Sequence, residues 1–257
     1  MSRHERHHLT GNLQVRHIAV QVDPIQTLDV QPGMHVLEVG SGLGLLAAVV
    51  AQSAPNLQVV AVERSVAQIN AAVKIPAVLL VQGDAHQLQF TDGSFDLVYA
   101  RYVLEHVADP EVVLKEMRRV VRQGGRVVAC ENDSSLIRFD PECPVFDRVW
   151  PAFRNYQATL GGDSDIGRRL YRLFHRAGLS QIELSVQTEI HWHGSPGYES
   201  WLTNIIGNIQ SARSGLVNAG LCSEDEIAAA IAELEALSRN VEGSSIFVWN
   251  RAVGRRL

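Results

Sequence analysis

The sequence predicts an α/β fold in which a mostly parallel sheet is covered by helices on both faces. Three observations predict it. Between residues 34 and 131, short β-rich runs alternate with helical segments. Those runs are apolar throughout, the pattern of strands buried on both faces, as a parallel sheet requires. The length, 257 residues with 46% hydrophobic and 20% charged side chains, supplies one large core. It suits one α/β domain with insertions, or one domain plus a small cap.

In order, residues 34–39 (MHVLEV) read as a buried strand that runs straight into a glycine turn. Residues 43–52, apolar and alanine-rich, read as a helix. Residues 57–62 form the second strand, 66–73 a short helix, 77–81 the third strand and 95–100 the fourth. The next helix has clear signals: Asp109 caps it, Pro110 takes its first position and Glu111 complements its positive end. Val113, Met117 and Val120 give it an apolar stripe, and Gly124 and Gly125 stop it. Residues 126–130 are the fifth strand.

After Glu131 the pattern changes. Residues 132–163 hold Phe139, Phe146, Trp150, Phe153 and Tyr156 but no clear strand. A helix follows, with Ile166, Leu170, Leu173, Phe174 and Ala177 on one face and Gly178 at its end. Residues 182–190 alternate, Ile182, Leu184, Val186 and Ile190 against Glu183, Gln187 and Glu189, as in a half-exposed strand. Residues 192–220, rich in Gly, Ser and Asn, read as irregular. Ser223 and Glu226 form a capping box for a helix carrying Ile227, Ile231 and Leu234. Residues 245–249 are a final strand. The domain reading is an N-terminal helical segment over 1–33, then one domain over 34–257 with insertions at 132–163 and 192–220.

The net charge of −5, from 23 Lys and Arg against 28 Asp and Glu, shows no basic excess, which disfavours nucleic-acid partners. The cysteines, Cys130, Cys143 and Cys222, are odd in number and have no C-x-x-C spacing. That argues against a disulfide framework or a zinc site and fits a reducing cytoplasm. No apolar run approaches the roughly 20 residues that span a bilayer. The polar start has no signal-peptide core, and its His4, His7 and His8 read as a solvated tail. The expectation is a cytoplasmic monomer or homodimer with no membrane and no nucleic-acid partner.

Four motifs carry chemistry. Glu38-Val39-Gly40-Ser41-Gly42-Leu43-Gly44 follows the first strand directly. Its glycines let the chain turn tightly beside a ligand, and the helix behind them points free N–H groups at it. Dinucleotide enzymes also have such a turn, but their fingerprint wants Gly or Ala where Leu45 stands. Glu63, with Arg64 beside it, ends the second strand, where a carboxylate accepts ribose hydroxyls. Gly83-Asp84-Ala85 follows the third strand. Asp84 there is placed to accept from an adenine amine and the Ala85 N–H to meet a ring nitrogen; an ordinary Gly-Asp turn is the plainer reading. The run from Phe95 to Val107 delivers Arg101 and Tyr102 to the crevice where open α/β sheets bind ligands.

Together these four resemble the motif series of class I S-adenosylmethionine-dependent methyltransferases, the small-molecule type related to ubiquinone- and menaquinone-biosynthesis enzymes. The resemblance covers about residues 34–131 and extends, less specifically, to Gly161–Leu170. It implies a Rossmann-like seven-stranded sheet with the last strand antiparallel, S-adenosylmethionine as cofactor and S-adenosylhomocysteine as product. It also implies that Glu38, Gly40, Ser41, Gly42 and Gly44 surround the methionine part. Glu63 holds the ribose, Gly83, Asp84 and Ala85 the adenine, and Arg101 lines the methionine end. Glu38 stands where Asp is commoner. An Asn/Asp-Pro-Pro-aromatic sequence is missing after the fourth strand, which argues against methylation of adenine bases or glutamine amides.

Methyl transfer from a sulfonium is an in-line displacement, so the protein mainly positions the acceptor and excludes water. A base is needed only where the nucleophile loses a proton early. Tyr102, His106, Glu131, Asp133, His191 and His193 are the candidates at strand ends, with Glu131, His106 and His193 foremost. His106 sits in an apolar turn and reads equally as a packed structural histidine. His191 and His193 share a face on an extended segment, but no third metal ligand is visible, so no metal site is expected. The leading expectation is methyl transfer to oxygen, nitrogen or carbon of a small-molecule acceptor, as in secondary metabolism, under a lid built from the two insertions. The alternatives are a non-catalytic S-adenosylmethionine-binding regulatory module and, from another class, an NAD-dependent oxidoreductase.

Overall fold

The computed structural model describes residues 28–72 and 74–257. The expected helical segment over 1–33 lies outside the described residues, except that 28–33 hold two turns and no helix. The histidine cluster at the start lies outside them too.

In chain order the elements are β1 (His35–Val39), α1 (Leu45–Ser53), β2 (Gln58–Glu63), α2 (Val66–Ala71), β3 (Val78–Gln82), β4 (Phe95–Arg101), α3 (Pro110–Val120) and β5 (Val121–Asn132). Then come β6 (Arg138–Asp140), α4 (Pro144–Thr159), α5 (Leu170–Arg176), β7 (Ser180–Trp192), α6 (Tyr198–Asn218), α7 (Glu224–Arg239) and β8 (Ser244–Arg255). They form two compact units. A sheet unit runs to Asn132 and adds Asp165–Val186 and Asn250–Leu257; a helical unit holds Asp133–Ser164 and Gln187–Trp249.

In the sheet unit β1 pairs parallel with β2 and β4, β2 with β3, and β4 with β5. The strand order is β3-β2-β1-β4-β5-β8, with β7 also beside β8. The order reverses at β1, whose neighbours are β2 and β4, so a crevice opens at the C-terminal ends of these strands. The reason for a parallel sheet is visible in the burial. Val36, Leu37 and Val39 in β1 and Leu97, Val98 and Ala100 in β4 are all buried, leaving neither face to water. Val113, Leu114, Met117 and Val120 of α3, with Leu170 and Phe174 of α5, complete that core. The Asp109 carboxylate caps α3 by accepting from the N–H groups of Glu111 and Val112.

Three expectations are corrected. Among the described residues the sheet has eight strands where seven were expected; the extra one is β6, three residues that pair antiparallel with the start of β8. Helix α3 does not run to Gly124 and Gly125. It ends at Val120, because Val121 is fully buried and pairs with Phe95, so the glycines belong to β5. Residues 192–220 are not irregular: most of them form α6, 21 residues long. Its Gly, Ser and Asn content weakens the helical signal, but Tyr198, Trp201, Leu202, Ile205, Ile209, Ala212 and Leu216 recur at helical spacing and are buried.

The helical unit packs α4, α6 and α7 around an aromatic core. Phe139 meets Phe146 edge-on at 5.0 Å, Phe146 stacks on Trp150 at 5.2 Å, and Trp150 on Phe153 at 4.8 Å. The Trp150 indole N–H donates to the Ser134 carbonyl at 2.7 Å. Glu233 of α7 accepts from the N–H groups of Val145 and Phe146, closing the open end of α4. Ser223 and Glu226 form the expected capping box on α7. Among the described residues no helix is long and apolar enough to cross a membrane.

Candidate cofactor site at the strand ends

β1 runs into a turn in which Gly40, Gly42 and Gly44 have φ of +72°, +56° and +70°, left-handed values that side chains resist. The turn is fixed to β2. The N–H groups of Gly40 and Ser41 both donate to the Val62 carbonyl, at 2.8 and 3.0 Å. Helix α1 starts at Leu45 with no capping side chain, which leaves its first N–H groups for another acceptor. Glu38, 3% exposed, lies opposite Tyr99 in the β1–β4 register. Burial pushes its carboxyl up to about 8, against the pull of the Tyr99 hydroxyl and of the Arg101 charge. Two buried oxygens of this turn, Glu38 Oε2 and Ser41 Oγ, have no hydrogen-bond partner among the described residues. An uncapped helix, a left-handed turn and orphaned buried oxygens fit a polar ligand carrying a cationic group.

Glu63 ends β2, buried. One carboxylate oxygen accepts from the Gly42 N–H at 2.9 Å, the other from the Ser65 N–H at 2.8 Å. It therefore ties the glycine turn to the next strand end. Each oxygen keeps a second lone pair, so ribose hydroxyls can still be accepted. Arg64 is exposed beside it, near enough for its charge to act on Asp84. The Gly83 N–H donates to the Glu63 carbonyl at 3.1 Å. Asp84 Oδ1 accepts from the His86 N–H at 2.9 Å and meets the His86 ring at 2.7 Å; these bonds hold its carboxyl below the usual range. Asp84 is thus partly committed to its own turn, as the plainer reading had it. Ala85 packs against the core.

At the end of β4 the Arg101 guanidinium lies 5.0 Å from the centre of the Tyr102 ring. Tyr102 is buried with φ +55°, strained for a tyrosine. Val103 then fills the space where Gly40 would carry a Cβ: that atom would stand 2.5 Å from Val103 Cγ2.

The expected reacting groups are placed otherwise than as reacting groups. Glu131 is wholly buried, and its carboxylate accepts from the N–H groups of Val103 (3.0 Å), Leu104 (2.9 Å) and Glu105 (3.4 Å). Burial first, then the neighbouring Glu105, raise its carboxyl to about 8 despite those donors. His106 Nε2 lies 3.5 Å from Glu105 Oε1, and burial lowers its ring to about 4, so it is neutral at pH 7. Asn132 donates to the same Glu105 oxygen at 3.0 Å. His193 is exposed past the end of β7 in the helical unit, edge-on to Tyr198, while His191 is buried 3.5 Å from Glu189. The two histidines do not share a face. Tyr99 and Glu105 were missed from sequence. The acidic residue in Leu104-Glu105-His106-Val107 was the available signal for Glu105. Nothing marked Tyr99, since strand register is not written in the residues.

Residues 37–129 match the methyltransferase-domain family. A demethylmenaquinone methyltransferase of Lysinibacillus sphaericus is 30% identical over 186 residues, covering 65% of this chain and 78% of that enzyme. A 37.1 kDa protein in transposon TN4556 of Streptomyces fradiae is 36% identical over 165 residues; the match takes in 61% of this chain but spans only 46% of that protein's length. A methyltransferase structure from Anabaena variabilis superposes with a TM-score of 0.60 at 18% identity, covering 91% of this chain and 98% of that one, which shows the shared fold. The glycine turn, Glu38 and Glu63 therefore sit inside a stretch matched by the family, and the chain belongs to the class I S-adenosylmethionine-dependent methyltransferases, enzymes that methylate small molecules.

Proposed function

We propose that the chain holds S-adenosylmethionine along the C-terminal ends of β1 to β4 and passes its methyl group to an apolar small-molecule acceptor. Glu38, Gly40, Ser41, Gly42 and Gly44, with Arg101, take the methionine part. Glu63 takes the ribose with Arg64 beside it, and Gly83, Asp84 and Ala85 take the adenine. The observation that carries this reading is the buried Glu63 carboxylate bonded to the Gly42 N–H, which brings the ribose acid and the glycine turn into one construction.

In the reaction the acceptor atom attacks the methyl carbon in line with the leaving sulfur. When bound, the sulfonium would supply the methyl group, its carbon–sulfur bond breaking as the new bond forms, and the proton lost by the acceptor would pass to solvent. The protein supplies position and a dry setting. The buried Glu131 and the neutral His106 do not serve as bases in this scheme; His193 is the histidine left to face an acceptor. The two insertions are the proposed source of acceptor specificity. An apolar acceptor is in keeping with the name of the Lysinibacillus relative. The acidic net charge of −5 favours a free small molecule over nucleic acid. Three buried free thiols suit a reducing cytoplasm, where the chain acts as a monomer or homodimer, a place in secondary metabolism included.

Calorimetric titration with S-adenosylhomocysteine tests the reading. Binding at micromolar strength or better is expected; no heat and no thermal stabilisation at millimolar ligand would overturn it.

A further inference from the structure

We propose that Glu131 is a positioning residue for the cofactor, acting through the turn 103–105 on the glycine turn. This rests on the cofactor site proposed above and adds a part to it that touches no ligand.

The connection has three links, all within the sheet unit. First, the Glu131 carboxylate leaves β5 and gathers three consecutive backbone N–H groups, those of Val103, Leu104 and Glu105. A carboxylate taken wholly out of water is costly unless its oxygens are occupied, and three donors from one short turn occupy them. The turn is thereby pinned to β5. A second bond pins the residue before it: the Tyr102 N–H donates to the Cys130 carbonyl at 2.9 Å. Second, Val103, held by Glu131, puts its Cγ2 within 2.5 Å of where a Cβ on Gly40 would lie. Gly40 is thus packed from the β4 side by a side chain whose own backbone is bonded to Glu131. Third, the same glycine turn is tied from the β2 side by Glu63, through the Gly42 N–H, and by the Val62 carbonyl.

The glycine turn therefore stands between two buried carboxylates. Glu63 holds it directly; Glu131 holds it through Val103. The pinning also explains how Tyr102 persists at φ +55°. The strained residue is flanked by a bond to Cys130 on its own N–H and by the Glu131 bonds on the residues after it. Arg101, one residue earlier, acts on the Glu38 carboxyl, so the whole edge of the methionine site is set by where this turn sits.

Compared above pH 8, where Glu131 is a carboxylate, Glu131→Gln keeps one acceptor oxygen for the Val103 and Leu104 N–H groups but sets an amide NH2 against the Glu105 N–H and removes the charge, and the latch loosens. Val103→Ala cuts the second link and leaves the carboxylate intact. The double variant completes a cycle. The measurement is S-adenosylhomocysteine affinity by calorimetry on the full chain, with circular dichroism and melting temperature as the control for folding. Each single variant is expected to weaken binding about tenfold while folded, a cost in line with small misplacements at a ligand site. The double is expected to lose little more than either single, because both break one path. Unchanged affinity in folded Glu131→Gln, or losses that multiply in the double, would overturn the proposal. Should Glu131→Gln fail to fold, Val103→Ala decides alone: wild-type affinity in that variant would overturn it. If the wild-type chain itself does not bind, the cofactor reading fails, and this inference with it.

Discussion

Glu38 carries its carboxyl at about 8 because burial outweighs the Tyr99 hydroxyl and the Arg101 charge. Between the ordinary value near 4.5 and about 8 the folded chain holds a proton that the unfolded chain has released, so the contribution of Glu38 to stability falls as pH rises through that window. A cationic ammonium brought beside it reverses the balance, since opposite charge favours the anion. S-adenosylhomocysteine binding at pH 7 should therefore release protons from the wild type and fewer from Glu38→Gln. Calorimetry in buffers of different ionisation enthalpy counts them, and equal release from both would show that Glu38 does not meet the ammonium. Glu63→Ala removes an acceptor for the ribose and the tie on Gly42 together. It should weaken the ligand by about 1.5–3 kcal/mol, the range for bonds to a charged group. Glu63, Asp84 and the three turn glycines were legible because each follows directly on an apolar strand. Glu131 was legible as an acid leaving β5 but not as a latch, because its partners are backbone N–H groups 26 to 28 positions earlier. Backbone groups carry no sequence signal.

Helices α3 and α7 declare themselves through their caps, Asp109-Pro110 and Ser223 with Glu226. Helix α6 does not, since it opens on Gly197 with no capping side chain and carries glycine in its interior. One of those glycines has a reason. A Cβ on Gly215 would collide with the Tyr156 ring of α4, so the missing side chain is what lets the two helices approach. On a free helix Gly→Ala adds about 1 kcal/mol of stability. At position 215 the sign should invert: Gly215→Ala should lower the urea midpoint, and a rise would mean that Tyr156 moves aside at little cost. Strands β1 to β5 were readable from apolar runs alone. Three-residue β6 was not, because so short a run carries no period.

Both units are assembled from separated stretches, with the chain passing between them at residues 132–133, 164–165, 186–187 and 249–250. Alternation of strand and helix revealed the sheet unit at once. The sequence marks two insertions, 132–163 and 192–220, as a lid but carries no sign that the chain from 221 to 249 joins them, because these parts are held together by contacts distant in sequence. β8 lies beside β5 although more than a hundred residues separate them. Its register is locked by Gly124 and Gly125, which exchange backbone bonds with Arg256, and by the Arg256 side chain on the Val121 carbonyl. Removing residues 244–257 should therefore leave a chain that aggregates on size-exclusion chromatography; a monomeric, folded fragment would show that β8 is dispensable. The same pairing bears on how the protein is made. While the ribosome is still adding residues 133–243, β5 exists with one edge bare, an open row of N–H and C=O groups on an apolar strand. That edge stays open while the more than one hundred residues between β5 and β8 are added, to other nascent chains as much as to β8. Shielding of the β5 edge is needed until β8 has emerged to cover it.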